Sequence, residues 1–351
     1  MFRLTAALGG IVISLSLLEA GARLIAPDPP DAPLFSAAAE RASAHRDPVQ
    51  MADPYLFWRN QPNADLIHKG VRIRTNRFGM RDDPITRRKP YGVFRILSLG
   101  ESTAFGATVA QDATYANQLE ACLNRRGDGV QYQVLNAGVS GYSIVQSCEY
   151  LRRDGLGFDP DIVMIYQGFN DFLPTAHVAQ RIERIPEGAK GITDLDFLNA
   201  LNSRWNVRLN SWMITHSVAY RWVEHRLNPL TESDVEAARK LARTAVAPRV
   251  PAPDRLSTLR RFHEMTRREG VTLIVLVPAY RWYVAHCRLL LDFCRSEDVH
   301  CIDLELAVKR AGAERATLFA DAVHPVSRLH GLFAEQICEH IQTNILAETN
   351  R

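Results

Sequence analysis

The fold class can be read from Phe94-Arg95-Ile96-Leu97-Ser98-Leu99-Gly100-Glu101-Ser102. The apolar run in this stretch is short and ends at a glycine, which is typical of a strand buried on both faces of a parallel sheet. Four more runs of this kind follow along the chain, at 130–135, 161–166, 271–277 and 299–303. The sequence therefore predicts five strands that share one buried sheet.

Segments with helical periodicity lie between these runs. Apolar residues recur three to four positions apart at 114–126 and at 144–151. A helix predicted at 254–269 is ended by Gly270, and a closing helix is predicted at 326–346. Strands that alternate with helices predict an α/β fold with a doubly wound parallel sheet and right-handed crossovers.

A long segment separates the third predicted strand from the fourth. It contains about a hundred residues, too many for a plain crossover, so we predict a helical insertion at about 174–250. Ser233-x-x-Glu236 has the pattern of a capping box that opens a charged helix. The insertion is a natural place for a cap over a substrate site. Its aromatic residues favour an insertion core over a sugar-binding platform: Trp205, Trp212, Tyr220 and Trp222.

The composition is that of an ordinary globular protein. The chain has 351 residues, 46% of them apolar and 23% charged, which argues against long disorder and against a multi-span membrane protein. One large domain with an insertion fits this length as well as two domains do. The 42 Lys and Arg against 39 Asp and Glu leave a net charge of +3, which gives no reason to propose nucleic acid as a partner.

The cysteines are too few for a disulfide scaffold in a chain of this length, and their redox state stays open. Cys287, Cys294 and Cys301 lie near His286 and His300, but the spacing matches no common metal-ligand pattern. Cys287 and Cys294 are about 10 Å apart along one predicted helix, so they should not bridge each other. We expect no metal here, and buried small apolar side chains are the favoured interpretation.

The N-terminus predicts export. Arg3 precedes an apolar run, 4–18, which Glu19 ends and a small-residue sequence up to Ala22 follows. This is the pattern of a secretory signal peptide cleaved after Ala22. Left uncleaved, 4–25 is long enough to anchor the chain in a membrane with its N-terminus inside. A buried core helix is the least favoured alternative.

The chain thus divides into four regions. Residues 1–25 are the signal peptide or membrane anchor, and 26–53, rich in Pro, Ala, Asp and Arg, form a linker. Residues 54–92 form an N-terminal extension, and 93–346 form the main domain with its insertion. The main domain is expected to be periplasmic on a membrane anchor, or secreted after cleavage.

The N-terminal extension contains an alternating segment, 71–75, followed by Asn76 and Gly79. This pattern predicts a hairpin or an edge strand beside the main domain. Its basic side chains favour a solvated face over a glycan or phosphate clamp: Arg72, Arg74, Arg77 and Arg81.

Polar or glycine-bearing turns follow the predicted strands. Gly100-Glu101-Ser102-Thr103 follows the first strand, Asn136-Ala137-Gly138 the second and Gly168-Phe169-Asn170-Asp171 the third. Asp321-Ala322-Val323-His324 lies between the fifth strand and the last helix. Because ligands of open α/β sheets bind at the carboxyl ends of the strands, these turns are expected to converge on one site.

Their residue types indicate nucleophilic catalysis. A serine hydroxyl needs a base, so Ser102 is the candidate nucleophile and His324 its activator. Asp321, three residues before the histidine, is placed to orient the ring. The N–H groups of Ser102 and Gly138 and the side-chain amide of Asn170 are the candidate oxyanion hole.

Each of these residues also has a structural interpretation. Ser102 could cap a helix, Asn170 could form an Asx-turn and Gly138 could permit a tight turn. The serine lacks the second glycine of G-x-S-x-G, which argues against an α/β-hydrolase nucleophile elbow. The first turn also lacks a phosphate-cradling glycine loop, so a flavodoxin-type cofactor carrier is disfavoured and no cofactor is expected.

In these turns the chain resembles the SGNH, or GDSL-type, hydrolase superfamily. The nucleophile block corresponds to Gly100-Glu101-Ser102, with Glu101 where the family name expects Asp. Gly138, 168–171 and 321–324 correspond to the other blocks. The resemblance extends over 71–340 except the insertion, and Thr75 to Arg81 with Leu99 to Gly106 resemble a membrane-anchored bacterial branch. It implies a three-layer α/β/α, flavodoxin-like fold, no metal, and ester or acyl-transfer chemistry.

Sequence and resemblance together favour an extracytoplasmic serine esterase with a Ser102, His324 and Asp321 triad that deacylates a carbohydrate or another envelope component. An O-acyltransferase that modifies an exported polysaccharide through the same acyl-enzyme is the first alternative. A catalytically silent, membrane-tethered glycan-binding or assembly protein is the second. The sequence leaves open the acyl group, the alcohol, cleavage of the leader, the role of the insertion and the oligomeric state.

Overall fold

The fold is built on a parallel sheet at the centre of the chain. The computed structural model describes residues 14–22, 24, 47–53, 56–175, 193–203, 217, 219–220, 240, 247–282 and 287–349. Two hairpins come first, with strands β1 (Gln50–Asp53), β2 (Phe57–Asn60), β3 (Asp65–His68) and β4 (Val71–Arg74). The main sheet contains β5 (Val93–Gly100), β6 (Gln131–Asn136), β7 (Ile162–Tyr166), β8 (Thr272–Val277) and β9 (His300–Asp303).

The five main strands are parallel and lie in the order β6-β5-β7-β8-β9. β6 therefore lies on one side of β5, and β7 lies on the other. The carboxyl end of β5 is the switch point in the strand order, which is where open α/β sheets bind their ligands. The predicted fold class, a three-layer α/β/α flavodoxin-like sheet with an insertion between its third and fourth strands, is confirmed.

Helices cover both faces of the sheet. They are α1 (Ser102–Phe105), α2 (Tyr115–Asn124), α3 (Ile144–Tyr150), α4 (Phe169–Phe172), α5 (Asp194–Ser203), α6 (Ala252–Arg268), α7 (Cys287–Glu297), α8 (Glu305–Arg310), α9 (Ser327–Asn344) and α10 (Leu346–Thr349). Residues 14–22 are also helical. The side chain of Ser143 caps α3 in a capping box with Gln146, which fixes where that helix begins.

Alternation along the strands separates two apolar cores. Leu97 and Val163 belong to the core that contains α3, α6 and α7. Ile96 and Ile162, one residue away on the same strands, belong to the core that contains α2, α8 and α9. Because successive side chains of a strand point to opposite faces, runs that are apolar at every position can fill both cores.

Strands β1 to β4 form two antiparallel hairpins, of which β1 lies in the predicted linker, 26–53, and β2 to β4 lie in the N-terminal extension, 54–92. The predicted strand at 71–75 is β4, and β3 is its partner. A turn also follows this strand, as the sequence pattern predicts, with the Gly79 N–H donating to the Asn76 carbonyl oxygen at 2.9 Å. The hairpin itself is closed before the strand. The strands join at Lys69 and Gly70, with φ of +49° and +78°, as two-residue hairpin loops favour.

The predicted solvated arginine face is wrong for Arg81. Arg72, Arg74 and Arg77 are exposed, but Arg81 is fully buried. Its guanidinium donates to the carbonyl oxygens of Phe105, Gly106 and Val109 (2.6 Å to Val109). Burial lowers the pKa of Arg81 to about 10. Arg81 therefore satisfies carbonyls at and beyond the end of α1, the helix that begins at Ser102.

The cysteines also differ from the prediction. Cys122 and Cys338 form a disulfide between α2 and α9, and Cys294 and Cys301 form a second between α7 and β9. The interpretation of Cys294 and Cys301 as unpaired apolar side chains is therefore wrong. Their Cα atoms are 6.0 Å apart because the chain turns back between α7 and β9. Cys287 and Cys294 are not paired with each other, as predicted.

Part of the insertion is described. Its helix α5 buries Phe197, and the side chain of Arg249 is bound to Asp194 at 2.8 Å. Trp205, Trp212 and Trp222, the capping box at 233–236 and most of the predicted leader lie outside the described residues. Among the residues that are described, none of the helices has the length and apolar character needed to cross a membrane.

Candidate active site

Ser102 occupies the turn that leaves the central strand β5. It is the first residue of α1 and is partly exposed. Gly100, two residues earlier, has φ of +150°, and a Cβ at this position would overlap the carbonyl oxygen of Tyr166. Only glycine therefore allows β5 to pass this close to β7 and still turn sharply into the serine.

The histidine and aspartate of the last turn meet this serine. His324 Nε2 lies 2.8 Å from Ser102 Oγ, although 222 positions separate the residues in sequence. His324 Nδ1 lies 2.7 Å from Asp321 Oδ2. An ionised carboxylate only accepts hydrogen bonds, so Nδ1 carries the proton and Nε2 accepts the serine hydroxyl. This protonation state is the one that a general base needs.

The Asp321 carboxylate is held ionised within its own loop. Partial burial raises its pKa, but the N–H groups of Val323 and His324 and the histidine ring bring the pKa below its ordinary value. Both backbone N–H groups donate to Oδ1 at 2.9 Å. The Asp321 side chain is 52% exposed, whereas that of His324 is 13% exposed. The histidine is therefore oriented by an aspartate that water reaches.

Two of the candidate oxyanion donors have free hydrogen-bonding capacity. Ser102 begins a helix, so its N–H has no acceptor within that helix. The amide of Asn170 donates one N–H to the Tyr142 carbonyl oxygen at 3.2 Å. This bond fixes the orientation of the amide and leaves its second N–H for another acceptor.

Gly138 contributes close packing. A Cβ here would lie 2.5 Å from the amide nitrogen of Phe105, so only glycine lets the second turn contact α1. Its own N–H donates to Asn136 Oδ1 at 3.2 Å. Binding of an oxyanion by this N–H would have to replace that bond, so its role as a donor stays a prediction.

A buried polar network lies beneath these turns, and sequence reasoning missed it. Glu101, which the sequence marks only as a departure from the family name, accepts the N–H groups of Phe169 at 3.0 Å and Asn170 at 2.8 Å. Gln167 donates to the same carbonyl as Asn170, that of Tyr142, at 2.7 Å. A signal was available, since polar residues directly beside a predicted strand end are expected to need partners when buried.

Burial raises the pKa of several carboxyl groups around this network. Desolvation raises the pKa of Glu101 to about 8, although hydrogen bonds from Asn170 and Phe169 oppose it. Desolvation likewise raises the pKa of Asp171 to about 7, against the N–H of Ile144. These carboxyls therefore bind protons more tightly than exposed ones.

Within the described part of the chain, no group of three or more His, Cys, Asp or Glu side chains is arranged to hold a metal.

The N-terminal extension supports the second turn from outside. Asn60, at the end of β2, donates its amide to the carbonyl oxygens of Gly138 at 3.0 Å and Gly79 at 3.1 Å. Gln50 and Trp58 both donate to the carbonyl oxygen of Ser140, at 2.6 and 3.0 Å. The hairpins therefore take part in holding the loop after β6 and are not merely appended to the sheet.

Comparisons with known proteins place this geometry in a family. The sequence profile of the GDSL-like lipase/acylhydrolase family matches residues 98–332, more than half of the 351-residue chain. This span contains all four turns, from Ser102 to His324. No curated protein matches the sequence.

Solved structures with weaker similarity are also found. The acetylxylan esterase Axe2 from Geobacillus stearothermophilus is 16% identical with a TM-score of 0.43, over 71% of this chain and 94% of that one. LAE5, an α/β hydrolase enzyme from the metagenome of Lake Arreo, Spain, is 15% identical with a TM-score of 0.44, over 70% and 94%. A GDSL-like lipase from Parabacteroides merdae is 15% identical with a TM-score of 0.42, over the same shares.

The resemblance drawn from the four turns is therefore confirmed by the family match. The chain belongs to the GDSL-like lipase/acylhydrolase family and is an enzyme that hydrolyses ester bonds.

Proposed function

We propose that this enzyme is a serine esterase that acts outside the cytoplasm and removes an acyl group from a carbohydrate or another envelope component. The observation that carries the chemistry is the hydrogen-bonded series Ser102 Oγ, His324 and Asp321, with distances of 2.8 and 2.7 Å. It supports a nucleophile, a base and an orienting carboxylate in one site.

The reaction follows from the orientation of these groups. Ser102 Oγ attacks the acyl carbon while His324 Nε2 takes the hydroxyl proton. The ionised Asp321 stabilises the imidazolium, and the N–H groups of Ser102 and Asn170 stabilise the oxyanion. The C–O bond to the alcohol breaks, and the alcohol leaves with the proton from Nε2. Water then attacks the acyl-serine and gives a proton to His324 Nε2. The bond between the acyl carbon and Ser102 Oγ breaks, Nε2 returns the proton to Oγ, and the carboxylic acid leaves.

The extracytoplasmic location is supported by the disulfides of the described chain. Disulfides form and persist mainly in oxidising compartments, and Cys122–Cys338 and Cys294–Cys301 are both paired.

The carboxylate of Glu19, in the apolar N-terminal segment, accepts hydrogen bonds from Ser217 Oγ at 2.7 Å and the Ala219 N–H at 3.2 Å. A partner in the insertion favours a retained anchor over a cleaved leader.

The substrate class rests on this location. An esterase on the outer side of the membrane meets acylated polysaccharides and other envelope components. The partly exposed Ser102 is consistent with a substrate larger than the acyl group itself. We therefore place the acyl group at Ser102 and Asn170, with the alcohol toward solvent.

Labelling with a fluorophosphonate probe tests the nucleophile. We expect the probe to modify the peptide that contains Ser102, and Ser102→Ala to abolish both labelling and release of p-nitrophenol from p-nitrophenyl acetate. Ser257→Ala, on the exposed surface of α6, is the matched control and should leave both unchanged. Turnover by Ser102→Ala at the wild-type rate would rule out the mechanism.

Intact-mass measurement of the protein extracted from the membrane fraction of an expressing bacterium tests the location. A mass that includes residues 1–22, with protein that carbonate washing does not release, is expected. Protein found only in the cytoplasmic fraction would contradict the proposed location, and a mass that begins after Ala22 would contradict the retained anchor.

A further inference from the structure

Glu101 connects two of the turns that form the candidate site. It lies between Gly100 and Ser102, and its side chain is 1% exposed. Its two carboxyl oxygens accept separate backbone N–H groups: Oε1 that of Phe169 at 3.0 Å and Oε2 that of Asn170 at 2.8 Å. The backbone N–H of Glu101 also donates to the Tyr166 carbonyl oxygen at 3.4 Å. The residue next to the serine therefore holds the residue proposed as an oxyanion donor.

This connection matters because Ser102 and Asn170 come from different strands. The serine leaves β5, and Asn170 lies in α4 after β7. An oxyanion donor works only when it lies within a few tenths of an ångström of its productive position, and a displacement of about 1 Å can cost about 10²-fold in rate. The ladder between β5 and β7 ends at Gly100 and Tyr166, so the turns beyond it need other contacts to fix this separation.

Other contacts of the Asn170 turn restrain it less directly. The Asn170 amide and Gln167 both donate to the Tyr142 carbonyl oxygen, which belongs to the turn after β6 and not to the serine turn. Gln167 also donates to Glu101 Oε2, at 3.4 Å. Among the described side chains that bind the N–H groups of this turn, Glu101 is the one adjacent to the nucleophile.

We propose that Glu101 is a positioning residue that sets the separation between Ser102 and the amide of Asn170 by bridging their two turns. This inference rests on the proposed function, since it assumes that Ser102 is the nucleophile and Asn170 stabilises the oxyanion. It assigns Glu101 no contact with the substrate. Its effect is exerted on the transition state through Asn170, so it should appear in kcat and not in KM.

Glu101→Gln separates positioning from packing. Glutamine has nearly the same size, but its amide offers one acceptor oxygen and places an NH₂ donor against the second backbone N–H. We expect kcat for p-nitrophenyl acetate, expressed per fluorophosphonate-labelled serine, to fall about 10- to 100-fold, with KM changed less than about 2-fold. Normalising to labelled serine removes the contribution of misfolded protein.

Two further variants complete the experiment. Glu120→Gln is the matched control, because Glu120 also accepts a backbone N–H, that of Val134 at 2.7 Å, but between α2 and β6. It should leave kcat per labelled serine within about 2-fold of wild type. Glu101→Asp keeps both acceptor oxygens on a side chain one methylene shorter, and should recover most of the lost kcat, to within about 5-fold of wild type.

The outcomes separate this inference from the proposed function. A wild-type kcat per labelled serine in Glu101→Gln, or an equal loss in Glu120→Gln, would overturn the positioning role while Ser102 still labels. If Glu101→Gln does not fold, Glu101→Asp decides: a kcat about 2- to 5-fold below wild type at unchanged KM, as a shortened bridge predicts, would support the role, and a kcat equal to wild type would overturn it. Failure of the wild-type chain to label at Ser102 would overturn both proposals.

Discussion

The two sides of the candidate site are built in different ways. On the serine side, Glu101, Asn136 and Asn170 are all buried, and each bonds to a residue of another turn or of the same buried network. On the histidine side, the Asp321 side chain is 52% exposed, and its carboxylate accepts from Val323 and His324 and from no other part of the chain that the structure describes. The serine side is held by side-chain contacts between turns. On the histidine side the orienting carboxylate is bonded locally, although its loop is also anchored by the Arg281 N–H, which donates to the Ala322 carbonyl oxygen at 3.0 Å.

This difference predicts how substitutions act. A buried network transmits a change to its neighbours, because its polar groups have no water to replace a lost partner. An exposed loop loses only the group that is replaced, since water fills the vacated position. The serine side should therefore respond to changes around the reacting groups, and the histidine side only to changes of His324 and, more weakly, Asp321.

Loss of the base should give the largest effect. We expect His324→Ala to lower kcat by about 10⁴-fold or more, because His324 is the one side chain among the described residues that is bonded to Ser102 Oγ. Hydrolysis of p-nitrophenyl acetate measures this. His263→Ala on α6 serves as the control and should be indistinguishable from wild type. Retention of more than about a tenth of the wild-type kcat by His324→Ala would exclude the assigned base.

Loss of the buried donor should come next. Asn170→Ala is expected to lower kcat by about 10²- to 10³-fold, which is the usual effect of removing one oxyanion-hole donor. The stability of Asn124→Ala, which removes an amide that donates to the Tyr132 carbonyl at 2.9 Å far from the site, provides the comparison. If Asn170→Ala loses stability to the same extent as the control but keeps its kcat, Asn170 has only a structural role.

The exposed aspartate should matter less than the buried donor. Asp321→Ala is expected to lower kcat by about 10- to 10²-fold, because water can reach His324 Nδ1 and solvate the imidazolium that the carboxylate no longer stabilises. The pH dependence of kcat/KM for the variant is the informative measurement. A loss as large as that of His324→Ala would show that the two sides do not differ as described.

The smallest effect concerns stability and pH. Burial raises the pKa of Glu101 to about 8 and of Asp171 to about 7, so the folded state binds protons that the unfolded state has already released above about pH 4. Stability should therefore decrease as pH rises through the range from about 4 to about 8. We expect Tm to fall by a few degrees between about pH 5.5 and 8.5, and to fall less in Glu101→Gln. An equal fall of Tm in Glu101→Gln would show that Glu101 does not contribute to the loss of stability with rising pH.

Much of this protein could be predicted from local pattern. The runs that are apolar at every position identify the strands of the central sheet, and parallel strands necessarily bring their carboxyl ends to one edge. The sequence therefore predicts Ser102, Asn170 and His324 as site residues, because each lies beyond a strand end or just before the last helix. The structure brings the side chains of Ser102, His324 and Asp321 within hydrogen-bond distance, and their catalytic roles stay predictions.

Other features depended on contacts that no local pattern contains. Arg81 lies four residues after the exposed Arg77, yet it is buried because the carbonyls of Phe105 and Val109 face it. The pairing of Cys122 with Cys338 joins residues 216 positions apart. A hydrogen bond or a disulfide needs two atoms within a few ångströms, and only the folded chain specifies which distant atoms meet.

The periodicity of apolar residues was thus sufficient for the sheet, its helical layers and the edge where the site forms, because burial of apolar surface follows from spacing along the chain. Tertiary structure alone settled which polar groups support that edge, including the bridge from Glu101 to Asn170 and the orientation of the Gly138 N–H toward Asn136. Hydrogen bonds are directional and short-ranged, so their partners depend on the final positions of loops that the apolar pattern leaves free.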